Sequence, residues 1–333
     1  MQPQTLELTT SIAREKLIAR RSKLETARAG LPDVRTRDDL SRLLHEVDLA
    51  LDRIAANAYG LCETCHEPIE ADRIAADPLV KNCLDHLTPS EQRALEQDLD
   101  LAGRIQRGLL PARQMSFEAW DTFYHYEPLG PASGDYCDLI IPGEGELLFF
   151  MGDVSGKGVA ASVLMANLHA IFRSLAPFGV PIPQLIERAN RIFCESTGGD
   201  HYATLVCGRA APTGEVEICN AGHCPPLWIR DGRATELAAT GLPLGLFNNT
   251  EYATTSLAMK RDEALLLYTD GVTESRDGSD SEYGIERLVR ATTRTADPTA
   301  AVLVAECLGD LKAFRAGARR ADDVTILALQ RAR

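Results

Sequence analysis

The strongest constraint on how this sequence can fold is a set of four metal-binding side chains in its N-terminal part. Cys62 and Cys65 form one pair, Cys83 and His86 form a second, and 17 residues separate the two pairs. Two such pairs at this separation are typical of a tetrahedral zinc site. Three thiolates and one imidazole leave no open position, so we predict one structural Zn²⁺ ion. His66 is an alternative fourth ligand, although it directly follows Cys65, which makes ligation by both residues awkward.

The segments before this cluster have the pattern of two helices. Residues 11–29 and 40–58 each place apolar side chains at helical spacing. The polar link between them, residues 33–39, is short, so an antiparallel helical hairpin is expected. We therefore predict a first domain at residues 1–88, in which a helical hairpin precedes a small zinc finger.

A third helix is predicted from Ser90 to the residue before Pro111, and we assign residues 89–111 to a connecting segment and residues 112–333 to a second domain. Its spacing suits a two-helix seam, so we hypothesise a homodimer through residues 90–110. The alternative is a rigid connector in a monomer. The apolar positions recur at steps of three and four residues and are Leu95, Leu99, Ala102, Ile105 and Leu109.

Charge and composition argue against several classes of protein. The formal net charge is −13, which disfavours binding to nucleic acid because that binding needs clustered cations. We find no apolar run of about 18 residues and no basic start followed by an apolar stretch, so we expect a cytoplasmic protein without a membrane span. Nine cysteines, an odd number, argue against a disulfide framework. We expect six of them to be buried apolar residues: Cys137, Cys194, Cys207, Cys219, Cys224 and Cys307.

From about residue 117 the sequence changes to short apolar strands separated by turns. Strands in hairpins, with helices between them, indicate an α+β fold in which an antiparallel β-sandwich is flanked by helices. The predicted strands are 145–151, 202–209, 216–220, 227–230, 234–237, 264–269 and 324–329. The predicted helices are 159–175, 182–194, 285–293 and 299–315.

Four aspartate-containing segments lie at predicted strand ends or turns, at residues 133–136, 152–158, 269–274 and 321–325. If these strands are neighbours in a sandwich, the carboxylates converge at one edge and repel one another unless cations neutralise them. Hard oxygen ligands of this kind suit Mg²⁺ or Mn²⁺. One Asp-Gly segment alone is ordinary turn chemistry, but four of them in this arrangement favour a metal site.

Six motifs follow one another in the second domain, at residues 101–111, 152–165, 220–226, 241–245, 268–274 and 322–325. Their order resembles the SpoIIE/RsbU branch of the metal-dependent (PPM) protein serine/threonine phosphatases. The resemblance covers about residues 100–331. It implies the PPM phosphatase fold and a phosphoric monoester hydrolase that uses two Mn²⁺ or Mg²⁺ ions. The sequence departs from this family at Ser133, where a glycine is usual, and at Cys137, where an aromatic residue is usual.

The resemblance also implies catalytic roles for Asp135, Asp153, Asp270 and Asp322. Asp153 is expected to bridge the two ions, and the main-chain carbonyl of Val154 to join one of them. Asp270 and Asp322 are expected to hold the second ion, while Asp135 acts in the outer shell of the first.

Three further residues are candidates for this site. Asp323 is an additional metal ligand, less favoured than its neighbour Asp322. Lys157 is a candidate for binding the substrate phosphate, and a solvated turn lysine is the alternative. His223 suggests a general acid that contacts the substrate, and a histidine that braces its turn is the alternative.

The first domain resembles the DksA/TraR zinc-finger family over about residues 10–88, through the hairpin and the finger. The last ligand is His86 where that family usually has cysteine, and its acidic hairpin tip is not evident. The resemblance leaves two alternatives: a folded spacer or dimer module, and a domain that binds RNA polymerase.

Together the two resemblances imply two hypotheses about function. In the first, the chain hydrolyses a phosphoprotein, typically a phosphorylated STAS-type anti-sigma-factor antagonist in a bacterial partner-switching pathway. In the second, it is a transcription-machinery adaptor that acts through the zinc finger and has a regulatory or inactive phosphatase domain. All the expected carboxylates are present, which favours the enzyme.

Overall fold

A computed structural model describes residues 3–30, 34–143, 145–294 and 299–332. The chain divides into two compact units, Met1–Gln97 and Asp98–Arg333. The division falls within the helix Pro89–Leu109, in the segment that the sequence assigns to a connector.

The N-terminal unit is a helical hairpin followed by the cysteine-containing segment. Helix α1 is Pro3–Gly30, α2 is Val34–Ala55, α3 is Ala71–Ala76, and α4 is Pro89–Leu109. Helix α2 begins before the predicted position, so most of the predicted link 33–39 is helical, and residue 33 lies outside the described residues. The buried side chains that join α1 and α2 to the segment after them are Ala13, Leu17, Val47, Ala50, Tyr59, Ile69 and Ile74.

The C-terminal unit contains two antiparallel sheets. In chain order the strands β1 to β11 are Gln114–Phe117, Trp120–Glu127, Asp135–Ile140, Leu147–Val154, Ala203–Ala210, Glu215–Ala221, Leu227–Arg230, Arg233–Glu236, Thr255–Ala258, Ala264–Tyr268 and Val324–Arg331. One sheet has the order β1-β2-β11-β10-β7-β8, and the other has the order β3-β4-β5-β6-β9. Apolar side chains from both sheets, among them Trp120, Phe149 and Leu327, form one buried core between them.

Helices cover the outer faces of both sheets. Helices α5 (Gly158–Leu175) and α6 (Ile182–Thr197) pack on the second sheet. On the first sheet lie α7 (Asp270–Thr273), α8 (Ile285–Thr292) and α9 (Ala300–Arg315). The predicted fold class, an antiparallel sandwich flanked by helices, is confirmed.

One segment within the described residues, Gly158–Phe178, is long and apolar enough to cross a membrane by length and composition. In this structure its Met165, Leu168 and Phe172 are buried in the core between α5 and the second sheet. Burial against the sheet therefore accounts for part of its apolar character.

A buried ion pair fixes α5 to strand β3. Asp138 is fully buried, and the guanidinium of Arg173 donates to both of its oxygens, over 2.8 Å from Nε and 2.5 Å from Nη2. The Nδ1 atom of His169 lies 3.4 Å from the same carboxylate. A charge buried this deeply is costly unless it is paired and hydrogen-bonded, so this cluster holds the helix in one position on the sheet.

Candidate functional site

The predicted aspartates come from strands of both sheets. Asp135 and Asp153 are register partners on β3 and β4. Asp270 begins α7 directly after β10, and Asp322 and Asp323 directly precede β11, the antiparallel neighbour of β10. Because the ends of these strands meet at one edge of the sandwich, residues far apart in sequence face a common space.

That space is a cavity of about 450 Å³. Carboxylates from three places in the chain reach it, together with the turn that follows β4 and the loop before β3. The residues that line it are Leu99, Leu129, Gly130, Pro131, Ala132, Asp153, Val154, Ser155, Gly156, Lys157, Gly158, Val159, Tyr202, Asp270, Asp322 and Asp323.

The carboxylates in this cavity disfavour one another's ionised form. Burial, followed by the neighbouring charges of Asp270, Asp322 and Asp323, raises the pKa of Asp153 to about 7. Burial and then the charge of Asp322 also raise the pKa of Asp270. Positive charge between carboxylates with raised pKa values favours the state in which all of them are ionised.

The donors in the cavity fit hard divalent cations. They are carboxylate oxygens, the type of ligand that Mg²⁺ and Mn²⁺ prefer. A Cβ atom added to Gly134 would lie 3.0 Å from both Asp153 Oδ1 and the carbonyl oxygen of Val154, so these two oxygens lie on the same side of the strand.

Asp135 lies behind the cavity and is absent from its lining in the described part of the chain. It is buried, and its Oδ2 atom accepts hydrogen bonds from the hydroxyls of Thr269 and Thr325, over 3.1 and 2.5 Å. Burial, followed by the charge of Asp153, raises its pKa well above the ordinary value. This position suits support of Asp153 and of the strand ends rather than direct ligation.

Asp322 and Asp323 have different partners. The Lys157 ammonium lies 2.8 Å from Asp322 Oδ2, and the side chain of Lys157 is 71% exposed. Asp323 Oδ1 accepts a hydrogen bond from the main-chain N–H of Leu129 over 2.6 Å. One carboxylate thus binds the single lysine of the lining, and the other fixes the loop that forms a wall of the cavity.

The structure does not place His223 in the cavity lining. It is buried, and its Nδ1 atom lies 2.8 Å from the hydroxyl of Thr204. The side chain of Asn220 bonds the main-chain N–H and C=O of His223, over 2.8 and 3.1 Å. Burial lowers the pKa of His223 to about 4. A neutral, enclosed imidazole favours the bracing alternative, and the substrate contact stays a prediction.

Two residues that the sequence did not distinguish hold the loop beside the cavity. The side chain of Gln106 on α4 donates to the carbonyl of Ser133 over 2.6 Å and accepts from its N–H over 2.9 Å. A Cβ atom on Gly103 would lie 2.2 Å from the carbonyl oxygen of Pro131. The backbones of the helix and the loop are therefore in direct contact, with no room for a side chain between them. A polar side chain in an amphipathic helix carries no signal of such a contact.

The cysteine–histidine group forms a second candidate site. One ligand atom from each of Cys62, Cys65, Cys83 and His86 lies within 4.8 Å of the others. Burial raises the pKa of the Cys62 thiol, but N–H groups of Cys65, Cys83 and Thr64 outweigh it and lower the pKa to about 6. These four donors fit tetrahedral zinc.

The alternative fourth zinc ligand, His66, does not belong to this group. Its φ of 60° places it in the left-handed region, at the turn where its N–H donates to the carbonyl of Cys62 over 2.9 Å. The residue therefore shapes the first knuckle through its backbone.

Comparison with known proteins identifies relatives of both units. The family model described as Stage II sporulation protein E (SpoIIE) matches residues 143–332. Phosphoserine phosphatase RsbP of Bacillus subtilis is 28% identical over 183 residues, which are 53% of this chain and 45% of RsbP. RNA polymerase-binding transcription factor DksA of Caulobacter vibrioides is 36% identical over 76 residues, which are 23% of this chain and 52% of DksA. The chain thus spans about half of the length of each relative.

Solved structures share the fold of the C-terminal unit. The RsbU and RsbW domains of Rv1364c from Mycobacterium tuberculosis match with a TM-score of 0.55 and 27% identity, over 67% of this chain and 62% of that one. The SiaA-PP2C domain of Pseudomonas aeruginosa matches with a TM-score of 0.63 and 19% identity, over 73% of this chain and 99% of that domain. The second match shows the fold alone.

Proposed function

Because this chain belongs to the Stage II sporulation protein E (SpoIIE) family, we propose that it is a metal-dependent protein serine/threonine phosphatase. The observation that carries the proposal is the cavity in which Asp153, Asp270 and Asp322 meet. Divalent cations, when bound there, supply Lewis-acid activation of water and neutralise the charge on phosphoryl oxygens.

The chain's own residues would divide the work as follows. Asp153, the carbonyl of Val154, Asp270 and Asp322 hold two Mn²⁺ or Mg²⁺ ions. Asp323 fixes the cavity wall through the N–H of Leu129. Lys157, exposed at the cavity and paired with Asp322, would be available to bind the substrate phosphate.

We also propose the substrate class: a phosphorylated STAS-type anti-sigma-factor antagonist in a bacterial partner-switching pathway. The support is similarity to a relative named as a phosphoserine phosphatase, over about half of that protein's length. A cytoplasmic location would follow from such a substrate.

The test is hydrolysis by the purified full-length chain, with and without Mn²⁺. The substrates are p-nitrophenyl phosphate and phosphorylated STAS proteins from the same genome. We expect release of phosphate from both classes only when Mn²⁺ is present. Failure to hydrolyse either substrate at any Mn²⁺ concentration would contradict the proposed activity.

The similarity of residues in the N-terminal unit to DksA favours a second candidate function, binding to RNA polymerase. The zinc-type cluster supports a folded finger with one structural Zn²⁺ ion. Co-purification of the full-length chain with core polymerase distinguishes the candidates. A complex that survives Asp153→Ala, while hydrolysis is lost, would show that both functions are present and separate.

A homodimer through residues 90–110 remains part of the proposal. Two of the predicted seam positions, Leu95 and Ile105 of α4, are 42% and 58% exposed, as a helix seam with a second copy requires. Sedimentation of the full-length chain and of its Ile105→Ser variant tests this. A chain that is monomeric at micromolar concentration would remove the dimer.

A further inference from the structure

Exposed apolar side chains surround one side of the cavity. We call this surface the apolar rim and define it as Val159, Val163, Tyr202, Leu242, Leu246 and Phe247, all of them exposed. Val159 and Tyr202 also line the cavity, so the rim is continuous with it. Exposed apolar residues scattered singly are ordinary, whereas a contiguous group beside a pocket indicates an interaction site.

The rim has two arms that meet at Tyr202. On α5, Val163 lies four residues beyond Val159, and so on the same face of the helix. The other arm is the loop 241–247, whose Leu244 exchanges two main-chain hydrogen bonds of 2.8 Å with Ala203. Since Ala203 directly follows Tyr202, the loop is joined to the strand beside this cavity residue.

The loop of the rim is held rigidly although its side chains are exposed. The fully buried Asn190 donates to the carbonyl of Phe247 over 2.8 Å and accepts from the N–H of Gly245 over 2.9 Å. A Cβ atom on Gly245 would lie 2.4 Å from the carbonyl of His201, so the loop backbone is also closely packed. Exposure of Leu242, Leu246 and Phe247 is thus built into an ordered surface, which lowers the entropic cost of binding.

The negative charge of the chain and of the cavity bears on what the apolar rim binds. The chain carries a net charge of −13, and the cavity holds several carboxylates. A phosphoserine brings about two further negative charges, so outside the cation site the negative net charge of the chain does not favour the approach of a phosphoprotein. Burial of apolar area supplies affinity for a protein substrate that does not depend on charge.

We propose that the apolar rim docks the folded phosphoprotein substrate while its phosphoserine enters the cavity. The inference rests on the proposed phosphatase function. Any protein that places a phosphoserine in the cavity must cover Val159 and Tyr202, because they line it. A folded partner extends further, onto Val163 and Phe247, whereas a small phosphate ester does not. The rim therefore selects a protein substrate over a small ester or a short phosphopeptide.

The experiment compares substrates of different size on single variants of the full-length chain. Val163→Ser and Phe247→Ser alter one residue on each arm, and neither residue lines the cavity. Phe178→Ser is the matched control, because Phe178 is 70% exposed while Phe247 is 62% exposed. Phe178 lies past the far end of α5, whose 18 residues span about 27 Å from the cavity end.

The probes are the phosphorylated STAS proteins of the same genome, a short phosphopeptide copied from their phosphorylation site, and p-nitrophenyl phosphate. We expect both rim variants to lose about tenfold in kcat/KM on the protein, mostly through KM, which is typical of a central contact residue. Turnover of p-nitrophenyl phosphate, which also reports an intact fold, should stay within about twofold, as should every rate of the control.

Each other result overturns the proposal. Equal losses on the protein and on the small ester would mean that the rim acts only on the structure of the cavity. Unchanged kcat/KM in a Phe247→Ser variant that has become monomeric would assign the rim to a second copy of the chain. If the parent chain hydrolyses p-nitrophenyl phosphate with Mn²⁺ but hydrolyses no STAS protein, the docking proposal is contradicted and the proposed phosphatase activity is not. If the parent chain hydrolyses neither the small ester nor a STAS protein, both the docking proposal and the phosphatase proposal are contradicted.

Discussion

The cysteine–histidine site and the aspartate site differ in how far apart their residues lie in the sequence. The first takes its ligands from one short stretch, residues 62–86, and the ligand atoms already lie within 4.8 Å of one another. The second takes Asp153, Asp270 and Asp322 from the ends of separate strands, far apart in the sequence. Neutral thiols beside an imidazole can cluster without an ion, whereas ionised carboxylates repel one another. A local site can therefore organise its own fold, and a dispersed one depends on the whole domain.

The largest effect should follow from removing a carboxylate of the dispersed site. Asp153→Ala or Asp270→Ala vacates a cation position, and we expect Mn²⁺-dependent hydrolysis of p-nitrophenyl phosphate to fall by about a thousandfold or more. Zinc content should not change, because the cysteine site shares no ligand with it. Asp200→Ala, which removes an exposed carboxylate, is the control. Normal turnover by Asp153→Ala would end the two-metal interpretation.

The converse change tests the local site. Cys83→Ser removes one of four zinc ligands, and structural zinc in small domains contributes about 10–16 kcal/mol to their folding. We expect elemental analysis to show loss of the single zinc, and limited proteolysis to cut within residues 34–97. Cys307→Ser, a buried cysteine of the C-terminal unit, should keep its zinc. A zinc-free chain that still resists proteolysis there would contradict the assignment.

The two sites should respond to pH with opposite signs. The pKa of Asp153 is raised from 3.8 to about 7, so the folded state without divalent cations binds a proton more tightly than the unfolded chain. Its free energy of unfolding must therefore fall as pH rises between about 4 and 7. Zinc affinity should instead rise with pH, because the thiols must lose their protons.

The substitution Asp153→Asn measures how much stability the folded chain loses when Asp153 ionises. In buffer without Mg²⁺ or Mn²⁺ we expect the variant to be more stable than the parent by about 1–4 kcal/mol at pH 8, and by clearly less at pH 5. Thermal unfolding at the two pH values gives the comparison, with Asp200→Asn as control. If the parent chain becomes more stable from pH 5 to pH 8 under these conditions, ionisation of Asp153 does not determine the pH dependence of its stability.

The smallest effect tests whether the dispersed site needs support from residues outside the cavity. Gln106→Ala leaves the N–H and C=O of the buried Ser133 without their side-chain partner, which costs about 1–3 kcal/mol. We expect a loss of about tenfold in turnover as the loop beside Asp135 shifts, since small displacements lower rates strongly. Arg104→Ala, an exposed change on the same helix, should have no effect. Equal activity of both variants would mean that the loop holds its position without Gln106.

Local patterns predicted most of the secondary structure. The hairpin around Asp231 and Gly232 lies where the turn residues indicate it, between β7 and β8. Helix α6 begins at the predicted residue, Ile182. Strand β3 was not predicted, because Asp135 and Asp138 interrupt its apolar pattern although every residue of the strand is buried. The partner that makes burial of Asp138 tolerable is Arg173, which lies 35 positions away and which no local pattern connects to it.

The same limit applies to the candidate site. The order of the aspartate segments predicted which residues meet, and the structure brings Asp153, Asp270, Asp322 and Asp323 to one cavity. The placement of Asp135 behind that cavity depends on two threonine hydroxyls from other strands. The enclosure of His223 depends on Asn220 and Thr204. Such relations require the folded arrangement, since each joins residues whose types are unremarkable alone.

The position of β11 has a consequence for how the chain is made. This strand lies in the middle of its sheet, between β2 and β10, yet the ribosome adds it after every other strand of the two sheets. Until it emerges, β2 and β10 have unpaired edges and the cavity lacks Asp322 and Asp323. Domains generally fold as units during synthesis, N-terminal first. The N-terminal unit can therefore fold early in translation. The two sheets of the C-terminal unit stay incomplete, with apolar surface exposed, until the last strand has been synthesised.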